Sequence, residues 1–408
     1  MKKSLAQGIT FFGCCLLAST AAWGQVLYSE NFDDGQASTR WTAQAGKGYD
    51  SALVPVPMDT NFDNAPFPVD GVNDDFSGFA YNYSVAGIPS APGSTGGSTI
   101  GMKLQSSLFS NALGGFSANP NGLNLTGDYS VKFQAWSSTV GTATGFPEGG
   151  SGSTMLSTFG ILTTGTASET ILSSDGVFFA YSGEGGSSAD FRAYSVEDKN
   201  SYDGTDGEPH ATYHAASRNN TAELYSTAFG AANTVPESVQ AAFPNQVMTG
   251  TLNPGSAGFQ WVANEIRKVG NVVEWYANDT LLITVDMTEF ATPTLGGNLS
   301  FGHADINFAS SLDPEAVDLL FTLIDNIEVT AIVSGADGDF DEDGDVDGRD
   351  FLMWQRGVSP APLSSTDLTA WQNAYGGGAL GALSAVPEPT TLVSLLGTTL
   401  LLGLRRRS

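Results

Sequence analysis

The stretch WVANEIRKVGNVVEWYANDTLLITVD, residues 261–286, narrows the choice of fold more than any other part of the chain. Residues 259–268, 271–277 and 280–286 read as strands, separated by the two-residue turns Val269-Gly270 and Asn278-Asp279. In a strand, alternate side chains point to opposite faces, and a two-residue connection joins only antiparallel neighbours. The pattern predicts a three-stranded meander, which needs further strands to bury its apolar side.

The rest of the body supplies them. Residues 129–136 place Val131, Phe133 and Ala135 on one face and Lys132 and Gln134 on the other. Segments 155–162, 176–181, 191–194 and 299–303 are further strand candidates, and 320–331 closes the run. In that last strand Phe321, Leu323, Ile327 and Val329 are expected to face one way. Gly/Ser/Pro-rich stretches such as 87–97 and 145–153 read as loops. Charged residues make up 14% of the chain, too few for a coiled coil, while 41% hydrophobic residues suffice for a core. The expected class is mainly β, with residues 25–333 forming one sandwich domain.

Both ends read as addresses. Met1-Lys2-Lys3, an apolar stretch from Ile9 to Ala18 and the small residues Ala22 and Gly24 make residues 1–24 a secretory signal peptide. Cys14 and Cys15 both lie in it, so the mature protein is expected to have no disulfide and no thiol chemistry. At the other end, after a 377–386 linker, come Val386-Pro387-Glu388-Pro389, an apolar run over 391–404 and Arg405-Arg406-Arg407. About 14 apolar residues span ~21 Å as a helix, thin against a bilayer core of ~30 Å, though arginines can snorkel to lengthen it. This order resembles the PEP-CTERM sorting signal, here 386–408. The resemblance implies a C-terminal transmembrane sorting helix, an exosortase as sorting partner, and release or attachment at the cell surface. Between the two ends, Gln25 to Val386 holds 11 basic and 42 acidic residues, a charge of −31. Such a surface repels nucleic acid and suits divalent cations.

The acidic residues concentrate at 339–350, DFDEDGDVDGRD. Laid on an EF-hand loop, Asp339, Asp341 and Asp343 take positions 1, 3 and 5, Gly344 takes the turn at 6, and Asp345 offers its carbonyl at 7. Asp347 sits at 9 and Asp350 at 12. Ca²⁺ wants six to eight hard oxygens, and alternate carboxylates on a tight loop provide them. Asp350 stands where the EF-hand has Glu, and Asp at that position is what dockerin-type loops carry. The run DFLMWQ from Asp350 is echoed by DLTAWQ from Asp367, 17 residues on. The second loop, RGVSPAPLSSTD from Arg356, lacks early carboxylates and reads as a metal-free mate. Residues 335–376 thus resemble a small α EF-hand/dockerin type I module with one working loop. This implies a cohesin-like protein partner; a calcium-stapled spacer before the tail fits the same residues equally.

The meander, with an opening VLYSENFDDG and a closing FTLIDNIEVTAI, resembles concanavalin A-like jelly-roll sandwiches, including laminin-G-like and glucanase-like domains. The resemblance implies that first and last strands pair in one sheet. The expected ligand is a polysaccharide or other extracellular glycan. Glucanases of this fold carry Glu-x-Asp-x-x-Glu on one strand, and that motif does not occur here. Glu265 and Glu274 read as solvent-face charges. Trp136, Trp261, Trp275 and Tyr276 are sugar-stacking candidates by type, although Trp on alternating strands is more often core. His210 and His214, with Glu208 nearby, lack the context of a zinc helix, and the acid-rich stretches 59–75 and 197–208 are minor candidates for a second cation. The expected function is an exported, non-catalytic glycan-binding surface protein; the alternatives are a polysaccharide-degrading glycoside hydrolase and a purely structural surface protein.

Overall fold

The computed structural model describes residues 25–45, 48–50, 55–56, 78–105, 112–139, 155–166, 175–194, 211–230, 233–244, 250–289, 295–305, 319–332, 338–341, 346–359 and 361–375. The chain divides into two compact units at 332/333. The signal peptide, the linker, the sorting tail, the stretches 59–75 and 197–208, and His210, Asp343 and Asp345 lie outside the described residues. Among the described residues no helix is long and apolar enough to cross a membrane.

The first unit is a mainly β sandwich of two antiparallel sheets with few helices. The larger sheet runs β12 (Ala211–Tyr213), β15 (Thr280–Asp286), β14 (Val272–Ala277), β13 (Trp261–Val269), β8 (Tyr129–Ser138), β17 (Phe321–Ala331), β6 (Ile100–Leu104) and β5 (Gly78–Asn82). β1 (Val26–Glu30) also pairs with β17, so first and last strands do share a sheet. The smaller sheet runs β11 (Phe191–Tyr194), β10 (Val177–Ser182), β9 (Met155–Thr163), β16 (Asn298–Asp305), β7 (Ala112–Pro120), β3 (Gly48–Asp50) and β4 (Pro55–Val56), with β2 (Trp41–Ala45) on β7. Among the described residues this unit has three short α-helices, α1 (Ala37–Arg40), α2 (Glu223–Phe229) and α3 (Glu237–Ala242).

The meander of β13, β14 and β15 forms as the alternation requires. Its second turn is Asn278-Asp279, both at positive φ (46° and 62°), the backbone that matches the twist of a tight hairpin. The first turn falls on Gly270-Asn271, one residue beyond the expected pair, because Val269 still pairs with Val272.

Side chains from both sheets interlock between them. Phe133 of β8 meets Phe159 and Phe301 with ring centroids 4.9 Å away in each case. Trp275 of β14 packs on Phe179 at 5.4 Å and on Tyr181 at 6.0 Å. A second apolar cluster, with Trp136, Phe321, Leu323, Val239 and Phe259, covers part of the larger sheet's outer face.

One expectation fails here. Phe321 and Leu323 do not face the same way as Ile327 and Val329. Between Asp325 and Glu328 the register on β8 slips by one residue, and Asn326 adopts φ 52°. This bulge inverts the alternation. Ile327 and Val329 join the core between the sheets, while Phe321 and Leu323 join the outer cluster.

Candidate metal centre

Among the described residues the second unit holds two helices, α4 (Gly348–Gln355) and α5 (Ser365–Ala374). Each starts on a side-chain cap, which satisfies backbone N–H groups that the first turn leaves unpaired. Asp347 caps α4 and accepts from Arg349 N at 2.6 Å. Ser364 caps α5 and accepts from Asp367 N at 3.0 Å. Asp347 and Ser364 are 17 residues apart, as are Asp350 and Asp367 and also Trp354 and Trp371. The sequence echo is therefore a repeated cap, a repeated buried carboxylate and a repeated indole.

The two carboxylates do similar work. Asp350, fully buried, accepts from Phe340 N (2.6 Å) and Asp341 N (3.1 Å) on one oxygen and from Asp347 N (2.7 Å) on the other. Asp367 accepts from Ala361 N at 2.7 Å. The backbone at Phe340 and Asp341 thus returns to α4 as that at Ala361 returns to α5, although only the first stretch carries further carboxylates.

Asp339, Asp341 and Asp350 each bring a carboxylate oxygen within 4.8 Å of the others. Asp339 and Asp350 are buried and Asp341 is partly so. The donor set consists of hard oxygens alone, which fits Ca²⁺ and not a soft transition metal. A carboxylate has about four lone-pair positions, so the N–H bonds to Asp350 leave room for a cation. Asp347 does not join this group. Its Oδ1 caps α4, and the spacing Asp347-x-x-Asp350, a capping box, was the sequence signal for that role.

In the sandwich, the proposed stacking residues separate. Trp136 and Trp275 are buried, whereas Trp261 and Tyr276 are half-buried. Tyr276 donates to Glu274 at 2.9 Å, and the Arg267 guanidinium lies 4.5 Å from its ring centre. Glu265, opposite Tyr276 on β13, is gripped by Arg267 through Nε (2.8 Å) and Nη2 (3.0 Å) and by Ser130 Oγ (2.6 Å). Burial pushes the Glu265 carboxyl up, but these hydrogen bonds and the charges of Arg267 and Lys132 outweigh it. The group is held below its usual range. A glycosidase acid needs the reverse, a carboxyl kept protonated near neutrality. His214 bonds Thr284 Oγ1 through Nε2 at 2.9 Å.

Sequence reasoning missed one polar cleft, of about 450 Å³. Glu30, Asp34, Arg40, Asn326 and Glu328 line it. Arg40 bridges Glu30 (2.7 Å) and Asp34 (2.9 Å). Next to Asn326, Asp325 is buried and accepts from Tyr83 OH (3.0 Å), Ser94 Oγ (3.2 Å) and Asn326 N (2.7 Å). Burial pushes its carboxyl up to about 6, against these bonds.

No family model matches the chain, and no curated protein matches its sequence. Solved structures show a distant likeness. A protein of unknown function with galectin-like fold from Bacillus subtilis is 10% identical over 76% of this chain and 97% of its own, with a TM-score of 0.34. A laminarinase from Flavobacterium sp. UMI-01 is 10% identical over 75% of this chain and 100% of its own, at 0.33. The Ca²⁺-bound exoplasmic/lumenal domain of VIP36 is 8% identical over 60% of this chain and 81% of its own, at 0.30. Scores below 0.5 place no site and no activity on this chain.

Proposed function

We propose that the protein is exported to the cell surface, where a concanavalin A-like jelly-roll sandwich binds an extracellular glycan without cleaving it. An EF-hand/dockerin-like module ordered by Ca²⁺ follows the sandwich, ahead of the exosortase-type tail. The observation that carries the cation half is the convergence of the Asp339, Asp341 and Asp350 carboxylates within 4.8 Å. Asp343 and the carbonyl of Asp345 would complete the oxygen shell. Ca²⁺ there would neutralise a loop in which eight acidic residues from Asp337 to Asp350 face only Arg349.

The glycan half is supported by the outward row on β13 and β14. Tyr276 brings an aromatic ring together with Glu274 at its hydroxyl and the Arg267 guanidinium over its face, a flat ring with charged hydrogen-bonding groups around it of the kind sugars use. The ion-paired state of Glu265 supports binding rather than hydrolysis.

The test is a polysaccharide depletion series with the secreted chain, in which reducing ends are followed in the same tubes. The expected result is retention on at least one glycan with no product, weakened about tenfold by Tyr276→Ala. Product release that Glu265→Gln or Glu274→Gln abolishes would establish a hydrolase instead. Retention on no glycan would leave a structural surface protein.

A further inference from the structure

Helix α5 lies outside the acidic loop, yet a single residue of it touches both of that loop's ends. At the entrance, Gly338 has φ +117° and packs on the helix backbone; a Cβ there would stand 2.5 Å from Trp371 Cα and 2.7 Å from Trp371 N. At the exit, Trp371 Nε1 donates to the carbonyl of Asp347 at 2.7 Å. The same indole packs on Phe351 with centroids 4.7 Å apart, which anchors it to α4. Gly338 immediately precedes Asp339, and Asp347 caps α4 three residues ahead of Asp350, so Trp371 touches the backbone next to the first proposed ligand and just before the last.

A matching contact exists in the other direction. Trp354 Nε1, on α4, donates to the carbonyl of Ser364 at 2.9 Å. Ser364 is the cap of α5 as Asp347 is the cap of α4. Each helix therefore holds the cap carbonyl of the other, but only the contact from Trp371 reaches the acidic loop.

We propose that Trp371 is a positioning residue for the cation: by holding Gly338 and Asp347 it fixes the backbone on either side of the Asp339, Asp341 and Asp350 carboxylates, and so sets the affinity from outside the ligand set. The inference rests on the reading that this loop takes Ca²⁺. The physical reason is preorganisation. Closing a loop costs chain entropy, and here like charges oppose closure as well. A contact that has met this cost before binding leaves more of the ligand free energy to appear as affinity.

The test is a Ca²⁺ titration of the full secreted chain against a competing fluorescent chelator, with the release rate measured in the same series. Trp371→Phe keeps an aromatic ring and removes the indole donor. Its dissociation constant should rise roughly fivefold, as expected for one lost hydrogen bond, mainly through faster release. Trp354→Phe makes the same chemical change at the cap of the metal-free half and should alter affinity less than twofold. Gly338→Ala presses a methyl against α5 from the loop side, leaving the helix sequence intact, and should weaken binding at least as much as Trp371→Phe.

Wild-type affinity in both Trp371→Phe and Gly338→Ala overturns the inference. So does equal weakening in Trp354→Phe, because the indoles would then serve only general stability. A wild-type chain that takes up no Ca²⁺ at millimolar concentration overturns the cation reading and this inference with it.

Discussion

The two compact units are held together by different things. The sandwich buries aromatic and aliphatic side chains from facing sheets, with Phe133, Phe159, Trp275 and Phe301 at the centre. In the second unit the described buried side chains are Val346, Asp339, Asp350, Ser359 and Asp367, of which only Val346 is apolar. Its aromatic residues Phe351, Trp354, Trp371 and Tyr375 form a chain of ring contacts but remain partly in solvent. A sandwich of this size can rely on the hydrophobic effect, whereas a unit of a few dozen residues cannot bury enough and needs a staple. Buried carboxylates are a staple only if something offsets their charge: here backbone N–H groups and, in our proposal, a cation.

If this contrast is right, a change to one unit should leave the other's unfolding alone. The largest effect should come from Trp275→Ala. Trp275 is fully buried, contacts Phe159, Phe179, Tyr181 and Phe191, and donates through Nε1 to Asn264 at 3.1 Å. Removing the ring should cost about 3–5 kcal/mol and lower the sandwich transition by roughly 10 °C. The transition of the second unit should stay in place in the same calorimetric scan. If both move together, the units unfold as one and the contrast fails.

Calcium removal should do the opposite. At a free concentration ~100 times the dissociation constant, the ion adds about 2.7 kcal/mol to the unit that binds it. Chelation should therefore lower the second unit's transition and reduce the helical circular dichroism from α4 and α5. The sandwich transition should not shift. Asp339→Ala should reproduce chelation and be insensitive to further chelator. An Asp339→Ala chain that still responds to Ca²⁺ like the wild type would place the ion elsewhere.

What could be read in advance followed from how each unit is built. Strand β15 (Thr280–Asp286) sits where alternation placed it, because one side faces a core and the other does not, whereas β11 (Phe191–Tyr194) is buried on both sides and was legible as a short aromatic run. The bulge at Asn326 was hidden because Phe321, Leu323, Ile327 and Val329 keep unbroken spacing in the sequence; a slipped register changes faces without changing the pattern. In the second unit, the ligand pattern of Asp339, Asp341 and Asp350 was visible as spacing. The Trp371 contact was visible only as an echo, since a hydrogen bond from an indole to a distant carbonyl depends on how α4 and α5 pack. The cleft around Arg40 joins residues from β1, α1 and β17, and no local pattern records such a meeting.

The smallest effect expected in the wild type lies inside the sandwich, where two buried titratable groups pull against each other. His303 is fully buried and shares Thr322 Oγ1 with Ser157, through its Nδ1 at 2.9 Å. Burial pushes it down to about 3. Unfolding returns it to its usual value near 6.5, so between those values the unfolded chain binds the extra proton, and stability falls as pH falls from about 6.5. Asp325 works the other way. Its carboxyl, raised to about 6, keeps a proton in the folded protein that the unfolded chain loses above about 3.8, so its contribution is present in acid and lost as pH rises through 6. The windows overlap between about pH 4 and 6, and there the two contributions offset each other. Asp325→Asn should expose the His303 dependence alone. In urea titrations of the full chain, wild type minus Asp325→Asn should be larger at pH 4 than at pH 7. Wild type minus His303→Asn should be smaller at pH 4 than at pH 7. A difference independent of pH in either pair would show that the group titrates alike in folded and unfolded chains, so that its burial does not control its charge.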